Sequence, residues 1–235
     1  MRLPGQLVSS KGQAASKGAT RKLLIVDDHP MMREGLVQLI GHEPGLAVCG
    51  EAGSCQDALE AVRKLKPDLV LADISLPDKS GLELIKDIQA VYPDLAVLVI
   101  SMHEESLHAE RVLRAGGRGY IMKQEGGKKI LEAIHRVLDG HIYLSEGLSV
   151  RILEGLSGRP SAAGQSPVER FSDREFEVFQ LIGEGKGTRA IAERLHLSIK
   201  TVETHRTKIK IKLEIEDAAE LARYAVLWVE TQKAG

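Results

Sequence analysis

Four short runs of this 235-residue chain end in side chains suited to joint action on a phosphoryl group. Asp27 and Asp28 end KLLIVDD, Asp73 lies in DLVLADI, Ser101 closes DLAVLVIS and Lys123 closes RGYIMK. Three carboxylates brought together repel one another and raise their own pKa values unless a cation offsets them. All-oxygen ligation with room for water suits Mg2+, which takes one or two carboxylates plus phosphate oxygens. Lys123 would add a positive charge for a phosphoryl group, and the Ser101 hydroxyl would donate to one of its oxygens. Asp73 is then a nucleophile, since a carboxylate accepts phosphoryl as an acyl phosphate. Singly, each residue reads as structural: a strand-end Asp is commonly a helix cap, and an Asp-Asp pair a solvated turn. The conjunction, in this order along the chain, favours the chemical reading.

Those residues have to be positioned, and the pattern from Arg21 to about Gly140 supplies the frame. KLLIVDD, LAVCGEA, DLVLADI, DLAVLVIS and RGYIMK predict five strands. Residues 31–41, 55–65, 81–91, 105–115 and 127–139 predict the helices between them. Strands apolar almost throughout must be covered on both faces, which predicts a (βα)5 parallel sheet of flavodoxin-like type between helices. Ligands of such sheets bind at the carboxyl ends of the strands, where the polar residues lie.

The segment 21–140 resembles the receiver domain of two-component signalling. The resemblance rests on LLIVDDHP, on DLVLADISLPDKSGLEL with Pro77 and Gly81 at the family's offsets after Asp73, and on Ser101, Tyr120 and Lys123. It implies that Asp73 is phosphorylated by a sensor histidine kinase and that Asp27, Asp28, Asp73 and the backbone carbonyl of Ser75 hold Mg2+. It further implies that Ser101 and Tyr120 switch inward on phosphorylation while Lys123 pairs with the phosphoryl group. Gln124 stands where many receivers have a cis-proline, which leaves that turn open. Ser75 and His103 fall where receivers vary and where access of hydrolytic water is tuned; His103 is read here as an exposed loop residue. A phosphohydrolase of the haloacid-dehalogenase type also uses a strand-end Asp, but needs a second Asp two residues on, and that residue is Ser75. The chain is therefore read as no enzyme.

The second half is helical. Residues 157–168 (SGRPSAAGQSPV) have linker composition, and helices are predicted over roughly 172–184, 187–195, 199–213 and 216–230, with a Ser172/Glu175 capping box at the first. In GKGTRAIAERLHLSIKTVETHRTKIKIKL two short helices meet at a tight turn at His196-Leu197, and Ser198 caps the second. On that helix Val202, Ile209 and Leu213 share one face, while Lys200, Thr204 and Thr207, flanked by Glu203, Lys208 and Lys210, make a mainly basic opposite face. Taken alone, such a face is usually only solvated. From Phe171 to about Trp228, however, the chain resembles the DNA-binding domain of the NarL/FixJ (LuxR-type) regulators, through Arg174-Glu175, Gly185, Ile191-Ala192, Ser198, Thr201-Val202, His205 and Lys212-Leu213. The resemblance implies a helix in the major groove, with Lys200, Thr201, Glu203, Thr204, Arg206, Thr207, Lys208 and Lys210 as the DNA-contacting set, and a homodimer when phosphorylated or DNA-bound.

The expected organisation is a leader at 1–20, a receiver at 21–140, a helical tail and linker at 141–168 and a helix-turn-helix domain at 169–235. A formal net charge of -1 puts any nucleic-acid signal in local patches, and no apolar run approaches the ~20 residues of a membrane span. A cytoplasmic location without membrane attachment is expected. Cys49 and Cys55 lack metal-site spacing and are read as reduced and structural. Leu221, Ala225 and Trp228 are read as core of the small domain, with dimer pairing as the alternative.

Overall fold

A computed structural model describes residues 20–103, 105–150 and 167–234. Most of the expected leader and linker lies outside the described residues. The first unit alternates β1 (Arg21–Val26), α1 (Pro30–Gly41), β2 (Leu46–Ala52), α2 (Cys55–Leu65), β3 (Leu69–Ala72), α3 (Gly81–Val91), β4 (Ala96–Ser101), α4 (Glu105–Arg114), β5 (Gly119–Met122) and α5 (Gly126–Leu138). The strands form one parallel sheet in the order β2-β1-β3-β4-β5.

The period of two along each strand divides the core into two layers. Leu24, Val26, Val70, Ala72, Val97 and Val99 pack with residues of α2, α3 and α4, while Leu23, Ile25, Leu69, Leu71, Leu98 and Ile100 pack with residues of α1 and α5. Removing a side chain such as Leu71 would cost about 2–5 kcal/mol, because the gap cannot fully close. Local signals set the helix starts: Ser54 accepts from the Asp57 N–H, and Ser80 from the Leu82 N–H. Gly81 is required, since a Cβ there would collide with the Asp73 carbonyl oxygen. Beyond α5, Tyr143 bridges the edge at Gly119 in parallel, and residues 146–150 are helical.

The second unit contains a short 3-10 turn (Pro167–Arg170), α6 (Asp173–Gly183), α7 (Thr188–Arg194), α8 (Ile199–Leu213) and α9 (Ala218–Ala234). The Ser172/Glu175 capping box is present, and Ser198 caps α8 by accepting from the Thr201 N–H at 3.0 Å. Leu221 and Ala225 are fully buried, and Trp228 packs edge-on against Phe176 and Phe179 at 5.6 and 5.5 Å. The core reading of that helix holds. One residue of the first unit joins this core: Leu107 of α4 is buried in the same cluster as Phe176, Phe179 and Ile191.

Candidate functional site

The parallel sheet brings the sequence-predicted acids together at one rim. Asp27 is fully buried and Asp73 is 4% exposed. The Lys123 ammonium lies between them, 2.6 Å from Asp27 Oδ2 and 2.7 Å from Asp73 Oδ2. Asp73 Oδ1 accepts the Ile74 N–H at 2.7 Å. Burial pushes the Asp73 carboxyl above the usual carboxylate range, against the Lys123 charge that pulls it down. Burial works against the charged form of Lys123 as well, yet the neighbouring carboxylates outweigh it and its pKa rises. A deeply buried nucleophile is thus kept beside a fixed cation.

Asp28 is half-buried, with Oδ1 2.6 Å from His29 Nδ1. Carboxylate and imidazole atoms of Asp27, Asp28, His29 and Asp73 lie within 4.8 Å of one another, the reach of a single metal ion. Asp27 Oδ2 and Asp28 Oδ1 are shielded from solvent and make no hydrogen bond of good geometry, only close ion-pair approaches. Such oxygens suit a hard divalent cation such as Mg2+.

Ser101 is fully buried, and its Oγ accepts the His103 N–H at 3.3 Å. One expectation is corrected. His103 is not an exposed loop residue: it is 7% exposed, its Nε2 lies 3.0 Å from Ser75 Oγ, and its ring centroid is 5.0 Å from that of His108. Tyr120 is fully buried and donates its hydroxyl to the His103 carbonyl at 2.8 Å. Burial lowers the His103 pKa to about 4, with Arg194 and Lys123 adding to the shift. Among the described residues no peptide bond is cis, so Gln124 follows Lys123 in trans.

On α8, Val202 and Ile209 are buried while Lys200, Glu203, Thr204, Thr207 and Lys208 are exposed; Thr201, Arg206 and Lys210 are partly exposed. The exposed hydroxyls are locally engaged. Thr204 donates to the Lys200 carbonyl at 2.9 Å and Thr207 to the Glu203 carbonyl at 3.0 Å, while the Glu203 carboxylate accepts from Thr188 at 2.8 Å.

The relation of the two units was not foreseen. Asp173, Glu177 and Gln180 form one stripe of α6, each bonded to the first unit: Lys86 to Asp173 at 2.7 Å, Ser80 to Glu177 at 2.6 Å, and His108 to Gln180. Arg111 donates to the Val168 carbonyl at 2.7 Å, and Arg174 to the Leu76 carbonyl at 3.3 Å. The turn between α7 and α8 reaches the acidic rim, where His196 Nε2 is 3.3 Å from Asp28 Oδ2. Glu193, Arg194 and His196 line the same cavity, of about 400 Å3, as Asp28, Asp73 and Lys123. The only sequence signal for this interface was the i, i+4, i+7 spacing of Asp173, Glu177 and Gln180, a pattern equally typical of a solvated face.

Fold and site together define a two-component receiver joined to a DNA-binding helix-turn-helix unit. The response regulator receiver domain family matches residues 23–135, and the bacterial regulatory proteins of the luxR family match residues 169–225. The chain belongs to the LuxR-type response regulators, and is accordingly a transcription regulator. It is 37% identical over 205 residues to the transcriptional activator protein ExaE of Pseudomonas putida, covering 87% of this chain and 95% of that protein. It is 35% identical to the response regulator GacA of Pseudomonas aeruginosa over the same shares. Among solved structures it resembles RcsB of Salmonella enterica serovar Typhimurium bound to the promoter P1flhDC with the phosphomimetic BeF3-, at TM-score 0.58 and 27% identity over 88% of this chain and 98% of that one. A further RcsB structure matches at TM-score 0.62 and 26% identity, covering 88% of this chain and 98% of that chain. No helix of the described residues is long and apolar enough to cross a membrane.

Proposed function

We propose that a sensor histidine kinase phosphorylates Asp73 and that this releases the helix-turn-helix unit to bind DNA as a homodimer. The observation that carries the reading is the shared cavity: Glu193, Arg194 and His196 of the DNA-reading unit stand over Asp73 and Lys123 of the receiver. In the transfer, a phosphohistidine P–N bond breaks as a P–O bond to Asp73 forms, and the imidazole leaves with the electron pair. Asp27, Asp28, Asp73 and the Ser75 carbonyl would hold Mg2+, which neutralises charge on the transferring phosphoryl oxygens when bound. Lys123, now paired with Asp27 and Asp73, supplies a second positive charge at the same place.

A phosphoryl group enlarges and recharges Asp73 beneath the docked turn. It would also pull on Ser101, whose Oγ anchors the loop carrying His103. That loop runs into α4, the helix holding His108 and Arg111 against α6. The resting contacts leave the exposed face of α8 uncovered, so inhibition is steric: the receiver adjoins His196, two residues before the Ser198 cap of the groove-reading helix. A differential of a few kcal/mol between docked and released forms suffices for control. One short helix reads few base pairs, which favours two copies on half-sites. With no membrane-spanning helix described and DNA as partner, the cytoplasm is the natural compartment.

The test is binding to DNA selected from a random pool, with and without acetyl phosphate and Mg2+. Wild type should bind at least about tenfold tighter after phosphorylation, and Asp73→Asn, which keeps the shape but not the nucleophile, should not respond. Equal affinity of phosphorylated and unphosphorylated wild type would exclude this control.

A further inference from the structure

We propose that Thr188 of α7 is a positioning residue for base recognition, which pins the Glu203 carboxylate of α8 so that its second oxygen selects cytosine in the major groove. The inference rests on the reading of α8 as the groove helix and is independent of how the two units dock. Glu203 is the only carboxylate of α8. It is exposed, and Thr188 Oγ1 donates to its Oε1 at 2.8 Å, joining positions 15 residues apart in the chain. Among the described residues no other side chain bonds that carboxylate, so Oε2 keeps its lone pairs for a donor from outside.

The rest of the exposed face supplies donors and hydroxyls already in use. Thr204 donates to the Lys200 carbonyl at 2.9 Å and Thr207 to the Glu203 carbonyl at 3.0 Å, so neither hydroxyl proton is available to a base. Thr201 Oγ1 and Ser198 Oγ share a hydrogen bond at 2.8 Å at the helix cap. Lys200 and Lys208 can only donate, to phosphate or to a base acceptor. Glu203 is then the one charged acceptor on the face. Phosphates repel a carboxylate, which gains only from a base edge that donates. In the major groove guanine presents acceptors, thymine an acceptor and a methyl group, and adenine sets its amino group beside the N7 acceptor. Cytosine presents the N4 amino group alone.

The hydrogen bond to Thr188 makes that choice effective. A free glutamate loses rotamer freedom on meeting a base and is pushed aside by the phosphates. Thr188 is half-buried on α7, whose Ile191 and Ala192 are buried in the core of the unit, so its hydroxyl is presented from a fixed helix. The Glu203 head group is thereby set before DNA arrives, and its freedom is lost in folding rather than in binding.

The experiment is selection from a random DNA pool by the full chain, phosphorylated with acetyl phosphate and Mg2+, for wild type, Glu203→Gln, Thr188→Val and Thr188→Ser. Affinities for the wild-type site and its single-base variants follow by fluorescence anisotropy. Wild type should select cytosine at one position of each half-site. Glu203→Gln should replace it with adenine, because an amide pairs with N6 and N7 together. Thr188→Val keeps the shape without the hydroxyl and should lower the preference for cytosine at that position by at least about fivefold. Thr188→Ser restores the hydroxyl and should restore the preference, whereas a merely structural role for Thr188 would weaken binding to all sequences alike. An unchanged selected sequence for Glu203→Gln would overturn the proposal, as would full cytosine preference in Thr188→Val. Wild type that selects no sequence at all would overturn the groove reading beneath it, so the two failures are told apart.

Discussion

The guanidinium of Arg111 lies 4.0 Å over the ring centroid of Phe176, so α4 of the receiver meets α6 of the DNA-binding unit through a cation–π contact. The same group donates to the Val168 and Phe171 carbonyls at 2.7 and 3.2 Å. One side chain thus ties together the segment entering α6 and an aromatic of its core. Arg111→Ala removes both kinds of contact and leaves carbonyls unpaired, at a cost to docking of about 1–3 kcal/mol. Affinity of the unphosphorylated variant for DNA, measured by fluorescence anisotropy, should rise by roughly 5–150-fold. No rise would mean that docking does not restrain DNA binding.

Tyr120→Phe tests the inward aromatic. The change keeps the ring and removes the hydroxyl that the His103 carbonyl accepts at 2.8 Å. Stability should fall by about 1–3 kcal/mol, and amide exchange in the loop after β4 should speed up. Exchange identical to wild type would show that this bond does not hold the loop.

Acid should loosen the interface. Burial holds the His103 pKa at about 4 and the His108 pKa well below its ordinary value. His103 is faced by Lys123 and Arg194; His108 is faced by His103, Arg111 and Gln180. Both pKa values are depressed in the docked fold, so the released or unfolded chain binds more protons. Stability is therefore complete above pH ~6.5 and declines as pH falls from there toward 4. Trp228 is the only tryptophan and packs on Phe176, so its fluorescence reports the interface. A transition should appear in that window and shrink in His108→Gln; a flat profile from pH 7 to 4.5 would refute it.

Phosphate contact and base reading should separate on α8. Lys208 is exposed, and Lys210 donates to the Glu216 carbonyl at 3.1 Å from a partly exposed position. Lys208→Ala and Lys210→Ala should weaken binding to all sequences and each lower the salt slope by about 1. Glu203→Ala and Thr204→Ala should change which sequence is preferred, and the first also frees Thr188. Unchanged salt slopes for the lysine variants would remove those residues from the phosphate contacts.

Amino-acid order by itself determined the elements and the rim of the first unit. Strands apolar on both faces leave a parallel sheet as the stable arrangement, and such a sheet carries Asp27, Asp73, Ser101 and Lys123 to one edge. Predicted and observed bounds coincide for β2, α2, α3 and α8, where a capping serine or a polarity change marks the ends. Tertiary structure alone decided how the two units meet. Asp173, Glu177 and Gln180 have the same spacing whether they face water or Lys86, Ser80 and His108, because helical periodicity records which residues share a face and not what covers it. His103 illustrates the same limit: nothing in its sequence neighbours Ser101, Met102, Glu104 and Glu105 marks it as buried, and its burial comes from Ser75, Tyr120 and His108, residues that only the folded chain brings to it.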